Sequence, residues 1–97
     1  MQVFKNETTN TTSGIFRFDG DGERTVIIEG TMGGATVDFE FSANSDAGPV
    51  PDPLKWVADT NSSYTAPGVY RFVVSPHVLF RAVITGGTAA TITVGVF

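Results

Sequence analysis

The chain has 97 residues, of which 41% are hydrophobic and 16% are charged, and its net charge is −4. This length fits one domain, and the hydrophobic fraction argues against a disordered chain. The chain contains no cysteine, which excludes disulfides and thiolate metal sites. Its six Lys and Arg residues are scattered, so no basic patch indicates nucleic-acid binding.

Residues 1–13 are predicted to form a flexible or partner-ordered N-terminal arm. Residues 5–13 (KNETTNTTS) are polar and rich in Thr and Asn, which is typical of segments that order only on a partner. The N-terminus lacks the apolar core of a signal peptide, and no apolar run approaches the ~20 residues of a membrane span. We therefore expect a soluble protein that is made in a cytoplasm.

Residues 14–97 are predicted to form the folded domain. Short β-rich runs alternate there with Gly, Pro, Asn and Asp clusters, which indicates about seven strands. No segment has the 3.6-residue apolar period of a helix. The predicted strands are residues 14–18, 24–29, 35–42, 54–59, 69–75, 78–85 and 91–97, with turns at 19–22, 30–34, 61–68 and 86–87 and a proline-rich loop at 43–53.

The segment 35–42 gives the clearest strand pattern. Ala35, Val37, Phe39 and Phe41 share one face, and the residues between them are polar, so the period is two with one buried face. Together with the other strands, this pattern predicts an all-β fold: a small antiparallel β-sandwich or a partly open barrel.

Several strands carry apolar residues on both faces. Their outward side chains are either covered by loops or available to a partner or a second copy of the chain. With the apolar start of the N-terminal arm, they are the candidate partner-binding residues: Val3, Phe4, Lys5, Asn6, Val69, Val73, Leu79 and Val83.

The sequence offers little chemistry. The only histidine, His77, lies in a predicted turn with no evident orienting partner, so we predict no catalytic residue and no cofactor. The oxygen-bearing side chains of Asp19, Asp21 and Glu23 are weak candidates for a cation site, although an ordinary β-turn explains the same residues. Trp56 and Tyr64 could stack on a sugar ring, or could pack in the core.

Residues 30–42 read GTMGGATVDFEFS, residues 52–57 read DPLKWV and residues 80–88 read FRAVITGGT. Together with the last strand, 91–96, these segments resemble small β-sandwich virion proteins of tailed bacteriophages. The chain departs from it at Phe39–Ser42, where the family has LQYS, and at Asp46–Gly48, where the family has DGG.

The resemblance implies a non-enzymatic virion structural protein, expected to be a capsid decoration (cement) protein. Its partners would be the major capsid protein or other virion proteins, with no nucleic acid and no membrane, and its location would be the virion. A homo-oligomer is expected, with a trimer as one option. The alternatives are a head-fibre or tail/adaptor component, or a small carbohydrate-binding module.

Overall fold

The computed structural model describes residues 1–8, 10–18, 22–45, 56–74, 78–88 and 90–97. These residues form eight strands and no helix, which confirms the all-β prediction. The strands are β1 (Gln2–Glu7), β2 (Thr11–Thr12), β3 (Gly22–Thr31), β4 (Thr36–Ser45), β5 (Trp56–Tyr64), β6 (Gly68–Val74), β7 (Val78–Thr85) and β8 (Thr91–Val96).

The strands form two packed antiparallel sheets that do not close into a barrel. Sheet A has the order β1-β8-β3-β6, and sheet B has the order β2-β7-β4-β5. The first strand pairs with the last, the second with the seventh, the third with the sixth and the fourth with the fifth. The chain is therefore a long two-stranded ribbon that is rolled up, and the roll adds the pairings β3·β8 and β4·β7. This is the architecture of an eight-stranded jelly roll.

The core lies between the sheets and is rich in phenylalanine. Val26 and Ile28 enter it from sheet A, and Val37 and Phe39 enter it from sheet B, each at most 2% exposed. The predicted alternation of residues 35–42 is confirmed at Ala35, Val37 and Phe39, while Phe41 is half-buried and packs against the core.

The glycines of residues 30–34 carry the chain from sheet A to sheet B. Gly33 has a φ of 58°, and a methyl group on it would overlap the carbonyl oxygen of Thr88. The Thr88 N–H donates to the Gly33 carbonyl at 2.9 Å, which fixes the two turns against each other. The glycines of the phage-like segment are therefore required by this crossing between sheets.

Strands β3 and β4 are longer than predicted, and the prediction differs more strongly at residues 14–18 and in β5. Among the described residues of 14–18, only Phe16 forms a bridge, which is an isolated one to Phe80. Strand β5 continues to Tyr64 through a segment predicted as a turn, because its ladder contains a bulge between the pairs Glu40–Ala58 and Asp38–Ser63. The Asp59 carboxylate stabilises the bulge by accepting from the Asn61 N–H and the Ser62 hydroxyl.

The prediction of an N-terminal arm is corrected for residues 2–7. They form β1, which pairs with β8 and contributes Phe4, 4% exposed, to the core. Burial of the apolar residues Val3 and Phe4 stabilises the strand. This stabilisation exceeds the free-energy cost of the conformational entropy that the following polar residues lose when they become ordered. Thr11 and Thr12 pair with β7 in the other sheet.

Candidate functional site

The outer face of sheet A carries a row of apolar residues across its strands. Val26 and Ile28 point into the core, so Ile27 between them points outward. Ile27 lies opposite Val69 of β6 on one side and Gly95 of β8 on the other. Ile27 is therefore an apolar side chain at the middle of the outer face of sheet A, with Val69 beside it on the neighbouring strand.

Three further apolar residues extend this row toward solvent. Val69 is 58% exposed, Val73 is 73% exposed and Phe97 is 59% exposed. The Phe97 ring lies against Gly95, where a methyl group would come within 2.8 Å of Phe97 Cε2. We call the set Ile27, Val69, Val73 and Phe97 the sheet A patch; Arg71 separates Val73 from Val69 on the same face. Exposed apolar residues gathered on one face of a sheet mark a candidate interaction surface.

A shallow groove runs beside the patch. Its volume is about 100 Å³, and its lining residues are Gln2, Ile27, Glu29, Thr93, Gly95 and Phe97. Pockets for small molecules have volumes of about 300–1,000 Å³. The groove is therefore better suited to a side chain of a protein partner than to a whole small-molecule ligand.

Charged groups border the patch. The Arg71 Nε lies 3.5 Å from Glu23 Oε1, and both side chains are about 60% exposed. An exposed pair of this kind contributes little to stability, about 0–1 kcal/mol, so these charges remain available to a partner. Lys5 and Asn6 are also exposed, and the Asn6 N–H donates to Thr93 Oγ1 at 3.1 Å.

The outer face of sheet B is more polar. Arg81 Nε donates to Glu40 Oε1 at 2.7 Å, and the Arg81 guanidinium lies 4.6 Å from the centroid of the Trp56 ring. Val83 is half-buried and Leu79 is 9% exposed. Leu79 therefore offers little surface to a partner, because it lies in the centre of the sheet beside the buried Ser42.

The structure places the candidate partner-binding residues in different environments. Phe4 and Leu79 are buried and are corrected as contact residues, whereas Val69 and Val73 are largely exposed. Val3 is half-buried and packs against the core. Phe97, the aromatic member of the patch, was not predicted as a contact residue. The alternation of the last strand places it at the strand end but does not show that its ring covers Gly95.

Of the two interpretations of Trp56 and Tyr64, the structure supports core packing for Tyr64. Tyr64 is 7% exposed, with its ring centroid 4.2 Å from that of Tyr70 and 6.2 Å from that of Phe39. Trp56 lies at the other end of β5, beneath Arg81. A buried tyrosine and a distant tryptophan cannot stack together on one sugar.

The Tyr64 hydroxyl is buried and has no hydrogen-bond partner among the described residues. The neighbouring Ser62 hydroxyl instead donates to Asp59 at 3.0 Å. Burial raises the pKa of Tyr64 most; the nearby Ser62 hydroxyl lowers it, although Ser62 donates to Asp59 and not to the phenol, and Asp59 and Tyr70 raise it.

The other predicted sites fall mostly outside the described residues. Asp19, Asp21 and His77 lie outside them, and Glu23 pairs with Arg71. Within the described part of the chain, no group of three or more His, Cys, Asp or Glu residues could hold a metal ion. In the same part, no helix is long and apolar enough to cross a membrane.

Comparisons with protein families, curated proteins and solved structures find no match to this chain.

Proposed function

We propose that the protein is a non-enzymatic structural component of a tailed-bacteriophage virion, a decoration protein that binds the capsid surface and stabilises subunit junctions. The observation that carries this proposal is the rolled-ribbon topology, with β1-β8-β3-β6 packed on β2-β7-β4-β5. Viral capsid domains commonly use this architecture, and so do lectins. Since a fold does not determine a function, surface features and sequence resemblance must support the choice.

The surface supports a binding role. Protein interfaces are enriched in aromatic residues and depleted of charge at their centre, with a polar rim. In the sheet A patch, Ile27 and Phe97 lie toward the middle of the sheet, and the Arg71–Glu23 pair lies beside Val69 and Val73 toward the β6 edge. We therefore assign the contact with the shell to the outer face of sheet A.

The sequence resemblance supports the virion in particular. It covers roughly residues 14–97, and its glycine-rich segment coincides with the crossing between the sheets at Gly30–Gly34. The segment thus supports a shared fold, and it identifies no contact residue. The choice of the sheet A patch comes from exposure and packing alone.

The direct test is mass spectrometry and electron cryomicroscopy of purified particles of the phage that encodes the chain. We expect eight-stranded density on the outside of the capsid, with sheet A facing the shell. Density for the chain on the tail or on a head fibre would identify it as a tail or head-fibre component instead of a decoration protein. Absence of the chain from purified particles would overturn the proposal.

A binding experiment tests the assigned surface. Phe97→Asp places a charge in the sheet A patch, and Val57→Asp is its matched control because Val57 is 67% exposed on sheet B. We expect Phe97→Asp to weaken cosedimentation with particles that lack the protein at least tenfold, while Val57→Asp binds like the wild type. Circular dichroism would establish that both variants are folded. Equal binding by both variants would remove the outer face of sheet A as the contact.

A further inference from the structure

Strand β6 is the last strand of sheet A, and among the described residues no strand lies beside its outer edge. In the described part of the chain it pairs with β3 alone, in a regular antiparallel ladder from Gly22–Val74 to Ile28–Gly68. Within the described residues, β6 therefore presents a straight edge that contains neither a register shift nor a proline. Such an edge is a template for another strand.

The hydrogen bonds of β3 show which groups of β6 face outward. The Thr25 N–H and carbonyl both bond to Phe97 on the β8 side. Because backbone groups alternate in direction along an antiparallel strand, Arg24 and Val26 bond toward β6, to their partners Phe72 and Tyr70. The residues between these partners direct their N–H and carbonyl groups away from the sheet, and they are Val69, Arg71 and Val73.

The side chains of the same three residues are exposed. Val69 is 58% exposed, Val73 is 73% exposed and the Arg71 side chain is 60% exposed. One short strand therefore combines outward backbone donors and acceptors with exposed valines. A partner strand that pairs with this edge would satisfy the outward backbone groups and place its own side chains beside the two valines on the same face.

We propose that this edge pairs with the β6 edge of a second copy of the chain, antiparallel about a twofold axis at Arg71. The pairs are Arg71 with its own copy, Val69 with Val73 of the second copy, and Val73 with Val69 of the second copy. Each pair exchanges two hydrogen bonds. The two sheets A become one continuous sheet across the axis.

The side chains fit this register. Val69 and Val73 are equally far from Arg71 along the strand, so the twofold axis places an exposed valine opposite an exposed valine on either side of it. Apolar side chains directly opposite each other on one face of an antiparallel pair pack against each other and favour the pairing. The apolar row then runs from Ile27 through Val69 to Val73 of the second copy.

The charges are compatible with a second copy. Like charges directly opposite each other destabilise a sheet, and Arg71 faces its own copy at the axis. Each Arg71 lies 3.5 Å from its own Glu23, so the four groups at the axis sum to zero charge. An isologous twofold interface requires a surface that matches itself in register and in charge, and the β6 edge does so. Pairing with an unrelated strand would not require this self-match. This pairing does not depend on the proposed virion function.

Sedimentation equilibrium of Arg71→Pro and Arg71→Ala tests the pairing. Both changes remove the side chain, but only proline removes the outward N–H, and proline is tolerated where that N–H faces away from the sheet. We expect the wild type and Arg71→Ala to dimerise and Arg71→Pro to dimerise at least tenfold more weakly. A monomeric wild type, or an Arg71→Pro chain that dimerises like Arg71→Ala, would overturn the proposal.

Disulfide trapping tests the register even where the proline variant fails to fold. The natural chain has no cysteine, so introduced cysteines are the only thiols. Residues in a hydrogen-bonded antiparallel pair have Cα atoms about 5.5 Å apart, within the range of a disulfide. A mixture of Val69→Cys and Val73→Cys chains should oxidise to a mixed dimer. Val69→Cys alone should not, because its two copies lie about 13 Å apart. Failure of the mixture to cross-link, or equal cross-linking by Val69→Cys alone, would refute this register.

Discussion

The Phe39 ring of β4 lies 5.2 Å from the Phe72 ring of β6, centroid to centroid, and this contact joins the two sheets across the core. Phe80 of β7 lies 6.3 Å from Phe39 and 6.4 Å from Phe72, so the three rings form one cluster. Aromatic pairs at such distances add about 0.5–1.5 kcal/mol beyond their area burial. In a chain without disulfides, this cluster is a principal link between the sheets.

We expect Phe39→Ala to lower the free energy of unfolding by about 3–5 kcal/mol, because it leaves a cavity where three rings meet. That loss is a large part of the 5–15 kcal/mol that typically stabilises a small domain. Urea unfolding followed by circular dichroism measures it. Ile15→Ala is the control, since Ile15 is 51% exposed and should change stability by about 0.5 kcal/mol or less. Similar losses in the two variants would contradict the assigned role of Phe39.

The sequence predicted this core strand because its signal is local. Val37 and Phe39 alternate with polar residues, and a period of two is visible without knowledge of any neighbour. The sheet order was not predictable in the same way, since the pairing of β1 with β8 joins residues at opposite ends of the chain. The β5 bulge was also missed, because Asp59, Asn61 and Ser62 are typical turn residues that here lie within a strand.

A second prediction tests whether β1 is a structural strand that stabilises the fold or a flexible arm that does not. Phe4 is 4% exposed and lies opposite Val94 of β8. We expect Phe4→Ala to lower the free energy of unfolding by about 3 kcal/mol, as a buried phenylalanine should. Lys5→Ala is the adjacent control, because Lys5 is exposed. An unchanged urea midpoint for Phe4→Ala would mean that residues 2–7 act as an arm after all.

The candidate surface was predictable only in part. Val69 and Val73 were recognisable because apolar residues occupy both faces of their strand, and the structure leaves them exposed. The outward direction of their backbone groups was not, because it depends on the register between β3 and its two neighbours. The place of Phe97 in this surface was likewise not predictable from the sequence, because it depends on the contact of its ring with Gly95.

A third prediction concerns the turn that the phage-like segment encodes. We expect Gly33→Ala to destabilise the fold by more than about 1 kcal/mol, because a left-handed residue with a side chain is strained and its Cβ would overlap the Thr88 carbonyl. Gly14→Ala is the matched control, since its added methyl would have its nearest contact at 3.9 Å, with the Phe16 ring. That variant should be neutral or slightly stabilising. Thermal unfolding compares them, and equal melting temperatures would refute the strain at Gly33.

The buried phenol of Tyr64 yields a prediction at alkaline pH. Burial raises the pKa of Tyr64 in the folded chain, so the folded state keeps the phenol proton at a pH where the unfolded state loses it. This contribution to stability is full below about pH 10 and is lost as the pH rises through the folded-state pKa. We expect Tyr64→Phe to flatten the fall in stability above about pH 10.

At neutral pH the same substitution should be neutral or stabilising by about 1 kcal/mol, because it removes a buried hydroxyl that lacks a partner. Tyr70→Phe is the matched control: the Tyr70 hydroxyl donates to the Ala66 carbonyl at 2.6 Å, so its loss should cost about 1 kcal/mol. Urea unfolding at pH values on either side of 10 measures both variants. An alkaline loss of stability in Tyr64→Phe as steep as in the wild type would show that another group titrates there.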